Sequence, residues 1–455
     1  MHPQNAYNLI TEITKGKVDS LKAILKEINN DVEDNPYFNF CKIKSIHFAR
    51  FVVLDGKSDS GNPYPAYLAF ESNYDGALDD HLIDIIKNTK TNNGFDKVFS
   101  ACKNFPVKEN ITDEDRVAFL KSDSHYHPYF YRGTWGRTVL QIRAEDQTRM
   151  DIQGYLDKHP ELRAKPEKVV YEAIKNAPPN EISRSPYITQ YPPKFLKRWV
   201  TELVLAGLIL LIALLYGLYY IVTLLTSCKL FGVLPVPLHQ LLLGVALLAV
   251  IVAGGLYGIL RLKEIMDTEL DKSYDPNEET TSLREAEDRI VQNQLTHLVE
   301  IKKGIFRLCL LKAVLWAVET LGIYKFNKGE LGGIPSIHFA RWIIIDKGKR
   351  LLFYSNFDGS WENYLGDFID RAAVGLTAVW SNTRLFPKSK NLVSEGATDE
   401  QKFKSWTRMH QVQTQVWYSA YKTLTVENIN NNTAIQEGLK KQLSDKEIKD
   451  WLLKL

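Results

Sequence analysis

Cysteine is scarce in this chain, and what there is lies scattered. Cys41, Cys102, Cys228 and Cys309 are the only four in 455 residues. Their spacing excludes a disulfide frame or a cysteine zinc site and points to free thiols in a reducing compartment. An excess of one charge is also missing, because 57 Lys and Arg stand against 54 Asp and Glu. No basic field argues for nucleic acid, and no such partner is expected. Met1 to Leu9 lacks a basic start followed by an apolar run, so no cleavable signal peptide is expected. There is no Gly-rich phosphate loop, no Gly-x-Ser-x-Gly elbow and no His-Glu-x-x-His helix.

What the chain does have is uninterrupted apolar sequence. Leu203–Ser227 carries no charged side chain, and Leu238–Leu260 is interrupted only by His239 and Gln240. At about 1.5 Å per residue, each run can cross roughly 30 Å of hydrocarbon, which predicts a transmembrane helical hairpin. Lys194, Lys197 and Arg198 precede it, and Arg261 and Lys263 follow it. Only Lys229 lies in the turn, beside Pro235 and Pro237. Positive flanks stay inside, so both termini and both flanking regions are expected on the cytoplasmic side of a bacterial inner membrane. Trp199 is placed as an interfacial anchor, and Gly254, Gly255 and Gly258 as a patch where the two helices approach. The lipid bilayer is then an expected partner.

The remainder is organised by a duplication. Ser45-Ile46-His47-Phe48-Ala49-Arg50 recurs as Ser336-Ile337-His338-Phe339-Ala340-Arg341, and Ser72-Asn73-Tyr74-Asp75-Gly76 as Ser355-Asn356-Phe357-Asp358-Gly359. Val98-Phe99-Ser100 matches Val379-Trp380-Ser381, and Thr138-Val139 matches Thr425-Val426. Blocks repeated in one order mark an internal repeat. Each copy reads as strand, helix, two strands, helix and late strand. That βαββαβ order is the ferredoxin-like split motif, so the fold class is α+β. The expected divisions are a first repeat over 1–164, a juxtamembrane linker over 165–198, the hairpin over 199–262, an acidic helical linker over 263–290 and a second repeat over 291–455. Ala434–Leu455 reads as an amphipathic C-terminal helix.

Alternation in Ile337–Ile345 sets His338, Ala340, Trp342 and Ile344 on one face and Ile337, Phe339, Arg341, Ile343 and Ile345 on the other. Both faces are largely apolar, so both need cover. Packing the bare faces of the two repeats against each other makes a pseudo-dimeric α+β barrel within one chain. Pairing between chains, as a homo-oligomer, is the alternative. An arginine on such a strand needs an anionic partner. Asp358 is the plainest one for Arg341, and Asp75 for Arg50. The Asp-Gly steps also suit a strand end that caps the following helix. His81 beside Asp80 and Asp84, and the His125-Tyr126-His127 pair, offer too few ligands for a metal, so none is assigned.

The duplicated layout resembles the dimeric α+β barrel superfamily, which includes dye-decolourising peroxidases and chlorite dismutases. The repeated blocks also resemble those of a bacterial membrane family. In the peroxidases a Gly-x-x-Asp-Gly motif carries the catalytic aspartate. Ser355–Gly359 and Ser72–Gly76 are the nearest matches here, with serine in place of the leading glycine and no histidine at an assignable proximal position. The resemblance implies haem, or an apolar small-molecule ligand, inside the barrel and peroxidase-like oxidation at the bilayer surface. It would make His338, Arg341 and Asp358 the catalytic set, and His47, Arg50, Asp75 and Asn356 the cofactor-contacting set. A non-catalytic membrane scaffold or oligomerisation module is the other reading. It is favoured by the recurrence of His, Arg and Asp in both halves.

Overall fold

The computed structural model describes residues 4–455 except 62, 90, 123–127, 192–206, 208–211, 213–215, 217–237, 271–286, 288 and 328. The fold is mixed α+β with antiparallel sheets. The first half runs β1 (Gln4–Glu12), α1 (Val18–Asn30), β2 (Ile46–Leu54), β3 (Tyr67–Asp75) and α2 (Leu78–Asn88). It continues with α3 (Gly94–Phe99), α4 (Asp113–Ser122), β4 (Tyr129–Arg132), α5 (Val139–Lys158) and α6 (Glu167–Asn176). After α7 (Leu238–Ile265) come β5 (Gln292–Glu300), α8 (Ile305–Tyr324), β6 (Ile337–Ile345), β7 (Arg350–Asp358) and α9 (Trp361–Trp380). A short ribbon, β8 (Ser389–Lys390) with β9 (Ser394–Glu395), precedes α10 (Glu400–Met409), β10 (Val416–Ser419), α11 (Val426–Leu439) and α12 (Asp445–Leu452).

The two sheets have the same order, β1-β3-β2-β10 and β5-β7-β6-β4. The late strand of each half does not close its own unit. β4 pairs with β6, setting Tyr129 opposite Trp342, and β10 pairs with β2, setting Val416 opposite Phe51. Each half therefore completes the other's sheet. The helices that follow these strands meet as well, with Arg137 Nε donating to Thr433 Oγ1 at 2.7 Å and Thr433 to Glu145 at 2.6 Å. The expected single C-terminal helix is divided into α11 and α12, and Ser444 starts the second with a capping box.

All nine residues of β2 are buried, as two apolar faces require. One face of each sheet packs on helices. The other faces meet, where Val52, Leu54 and Ala69 of one sheet contact Ile343, Ile345 and Leu352 of the other. Both inner strands carry a β-bulge at the repeated histidine, because pairing skips between Ile46 and Phe48 and between Ile337 and Phe339. An extra residue rephases the alternation. Ile337 now joins Ala340 and Trp342 on the helix side, while Phe339 joins Phe48 between the sheets. The expectation that His338 and Arg341 lie on opposite faces is corrected by this bulge. His338 packs against Phe48 with ring centroids 5.3 Å apart, and Arg341 reaches across to β1 and β3.

The membrane reading is also corrected. Among the described residues, no helix is long and apolar enough to cross a membrane. Of the expected first span, only Gly207, Ile212 and Tyr216 are described. The second run begins α7. That helix leaves Val250 and Ile251 exposed, but its end is held to the second half by a buried carboxylate. Glu264 accepts from the backbone N–H groups of Asn391 at 3.0 Å and Leu392 at 2.7 Å. Length and lack of charge alone do not make a span. No described helix therefore supports the expected integral membrane localisation, membrane anchor or membrane-surface peroxidase chemistry. The acidic linker expected over 263–290 lies largely outside the described residues, as do His125 and His127.

Candidate functional site

The bulge sets each repeated histidine beside the aspartate at the end of the neighbouring strand. His47 Nε2 lies 3.0 Å from Asp75 Oδ1, and His338 Nε2 lies 2.7 Å from Asp358 Oδ1. The second carboxylate oxygen accepts a helix N-terminal amide in both places, from Val139 at 2.8 Å and Val426 at 2.8 Å. Such amides have no intrahelical acceptor, and the helix end favours a negative charge. Gln4 and Gln292 complete the two junctions. Gln4 Nε2 donates to the carbonyls of Thr134 and Arg137, and Gln292 Nε2 to those of Tyr421 and Leu424. Each cluster thus ties the bulge, the strand end and the exchanged strand's helix into one joint.

The arginines do not pair with these aspartates. Arg50 Nε lies 2.6 Å from Glu71 Oε1, and Arg341 Nη2 lies 2.8 Å from Glu71 Oε2. One carboxylate therefore serves two guanidiniums between the sheets. Burial lowers the Arg341 pKa, and Glu71 opposes that shift. Each arginine also donates to carbonyls of the opposite sheet. Arg50 reaches Leu295 O at 3.0 Å and Ser355 O at 3.1 Å, and Arg341 reaches Tyr7 O at 3.0 Å and Ser72 O at 3.1 Å. Asn356 Oδ1 accepts from Arg50 at 2.6 Å and from Trp417 Nε1 at 2.9 Å. The structure therefore brings Arg50, Arg341 and Asn356 together in one network and the two His–Asp pairs into separate joints.

These residues do not fit a haem. His47 is spent on both nitrogens, since its Nδ1 is 2.9 Å from Tyr421 Oη. His338 is held by Asp358 and closed in by Phe48 and Tyr421. No group of three or more potential metal ligands occurs among the described residues. His81 is instead stacked on Tyr74 at 3.9 Å and bonded to Ser72 Oγ at 2.7 Å.

Sequence reasoning missed Trp342, which borders an open space on the helix side of the second sheet. A cavity of about 280 Å³ lies against β6, α8 and α9, lined by Leu321, Phe326, Trp342, Phe368, Gly375 and Leu376 among others. α9 breaks its helical geometry at Ala372 (φ −128°, ψ 15°), which also lines the cavity. Arg371 stands at the half-exposed rim, bonded to Gly333 O. The Trp342 indole N–H is buried and has no hydrogen-bond partner among the described residues. The equivalent position in the first half is Phe51, whose ring packs on Phe38 at 5.0 Å and Phe70 at 4.6 Å. A position-by-position comparison of the repeats would have exposed this difference. Comparison with family models, with curated proteins and with solved structures finds no match for this chain.

Proposed function

We propose that this chain binds a small apolar molecule carrying one hydrogen-bond acceptor, in the cavity between β6, α8 and α9. The observation that carries this reading is the Trp342 N–H, a buried donor with no acceptor among the described residues, at the edge of an apolar space. Leaving such a donor unmade costs about 1–3 kcal/mol, and a carbonyl-bearing ligand would recover it. Apolar pockets with a few placed polar groups suit small organic ligands. The duplicated His, Asp, Arg and Gln residues then serve the framework, and the unduplicated indole serves recognition.

The test uses two probes of similar body, 4-phenyl-2-butanone and butylbenzene, followed in the full chain by calorimetry and, in the wild type, also through the Trp342 indole N–H resonance. The ketone should move that resonance in a saturable way. Trp342→Phe should weaken ketone binding about tenfold, the value of one hydrogen bond, and leave butylbenzene unchanged. Gly375 has open space where a Cβ would stand, so Gly375→Leu should fill the cavity and abolish both interactions without unfolding the helix. Equal binding by wild type and Gly375→Leu would overturn the proposal.

A further inference from the structure

A second asymmetry lies at the far ends of the same strands. In the antiparallel register Glu300 stands opposite Arg350, and in the first half Glu12 stands opposite Tyr67. The glutamate is repeated, but the arginine is not. Glu300 is not the partner of Arg350, because its carboxylate is taken elsewhere. Ser58 Oγ donates to it at 2.5 Å and Ser60 Oγ at 3.1 Å, and Arg384 Nε lies 3.5 Å away.

Arg350 is 1% exposed, and its Nε pairs with Asp346. Its faces are covered by Tyr64, whose ring centroid lies 4.1 Å from the guanidinium carbon, and by Tyr67 at 5.6 Å. Stacking satisfies the faces and not the edges. Both terminal nitrogens, Nη1 and Nη2, are buried with no hydrogen-bond partner among the described residues. Arg350 borders a cleft of about 440 Å³ formed where the β2–β3 connection of the first half crosses onto the second. The carboxylates around that cleft are already engaged: Asp55 by Lys57 at 3.1 Å, Asp59 by His410 at 3.1 Å and Glu300 as described.

We infer that this cleft is a carboxylate-binding site in which the free edge of Arg350 receives both oxygens of a small organic acid. A planar fork with two parallel N–H donors matches a carboxylate in a bidentate way. Asp55, Asp59 and Glu300 balance Lys22, Lys57 and Arg350 in the lining, so the cleft accommodates a monoanion better than a dianion, which selects carboxylate over phosphate. Gln415, whose Oε1 accepts the Val53 N–H, borders the same space and turns its amide N–H donors to the rest of the ligand, with Val412 as an apolar wall. This site is separate from the cavity at Trp342 and does not depend on it.

The test is a titration of the full chain with butyrate and with inorganic phosphate at constant ionic strength. It is read by the side-chain N–H resonances of Arg350 and by calorimetry. Butyrate should bind saturably and shift those resonances. Arg350→Lys keeps the charge and loses the fork, and it should weaken butyrate about tenfold while the far-ultraviolet circular dichroism stays unchanged. Arg350→Gln is the harsher variant and should abolish binding. Absence of saturable butyrate binding, equal binding by Arg350→Lys, or tighter binding of phosphate than of butyrate would each overturn the assignment.

Discussion

Opposite Arg50 the first sheet places Glu71, whereas opposite Arg341 the second places Tyr354. The two halves agree at the histidine, the aspartate, the glutamine and the arginine, and they part at the residue that neutralises the arginines. Where they agree, the side chains are consumed by joints between strands and helices or by contacts between the sheets. Where they differ, one half supplies what both need, or leaves a donor without a partner. Duplication separates framework from opportunity: a group present twice in the same bonding pattern is explained by folding, and a group present once is not.

The sharpest way to break this comparison is at Glu71. Two buried guanidiniums share its carboxylate, so Glu71→Gln should cost about 3–5 kcal/mol, the usual penalty for leaving a buried charge unpaired. Tyr354→Phe at the equivalent position keeps the ring under Arg50, whose guanidinium carbon lies 5.0 Å from its centroid, and removes only a hydroxyl with no partner among the described residues. That change should stay within about 0.5 kcal/mol. Urea unfolding of both variants measures the difference, and similar midpoints would show that the shared carboxylate is not the keystone between the sheets.

A second asymmetry concerns acid. His81 and Tyr364 occupy equivalent places, each stacked on a strand-end aromatic and bonded to the serine of its own half. Burial pushes the His81 pKa down to about 3. The folded state therefore keeps this ring neutral, while the unfolded chain binds a proton below its ordinary value of about 6.5. Stability from this group is complete above about pH 6.5 and is lost as the pH falls towards 3, by several kcal/mol in all. Burial also depresses His297, which adds to the same slope. His81→Tyr, copying the other half, should flatten part of the acid limb and leave neutral-pH stability within about 1.5 kcal/mol. An unchanged acid profile would remove His81 from the account.

The histidines of the joints differ less. His47 bridges Asp75 and the Tyr421 hydroxyl, while the residue equivalent to Tyr421 near His338 is Thr134, and His338 Nδ1 has no partner among the described residues. His47→Gln leaves two buried groups to be satisfied and His338→Gln one. The expected costs are about 2–3 and about 1–2 kcal/mol. Thermal unfolding of the two variants compares them directly, and a larger loss at His338 would reverse the reading.

Much of the framework is legible in the residues. The ends of β2 follow from the β-branched and aromatic run Ile46–Leu54, and the Asp-Gly steps mark the ends of β3 and β7. The bulge is not legible, since nothing in Ser-Ile-His-Phe tells a two-residue period to skip, and with it went the facing of His338 relative to Arg341. Glu71 carried a signal, being a lone carboxylate inside the apolar run of β3. The aspartates, standing in the repeated motif, are the more conspicuous partners in the sequence. Strand exchange cannot be read from periodicity, because a strand of four residues such as Tyr129–Arg132 looks the same whichever sheet it joins. Trp342 and Arg350 look ordinary in isolation, and only a neighbour's absence makes them informative.

The smallest expected difference lies at the starts of α5 and α11. Thr138 and Thr425 are both N-caps, accepting from the third helical amide, at Gln141 and Asn428. At Thr425 the bond is reciprocated, because Asn428 Oδ1 accepts from the Thr425 backbone N–H at 3.0 Å. At Thr138 it is not, because Gln141 Nε2 is turned to Glu145 at 2.9 Å and Thr189 at 2.8 Å. Losing a threonine cap costs about 1 kcal/mol, and losing a reciprocal box adds a few tenths. Thr425→Ala should therefore lower stability slightly more than Thr138→Ala. Asn428→Ala should cost a few tenths of a kcal/mol in the wild type and nothing further once Thr425 is alanine, a coupling that a double-mutant cycle measures. Because Asp358 also accepts from Val426, the next amide, the cap and the His338 joint share one helix end. Additivity between Thr425→Ala and His338→Gln would show that the helix start is held by each group independently.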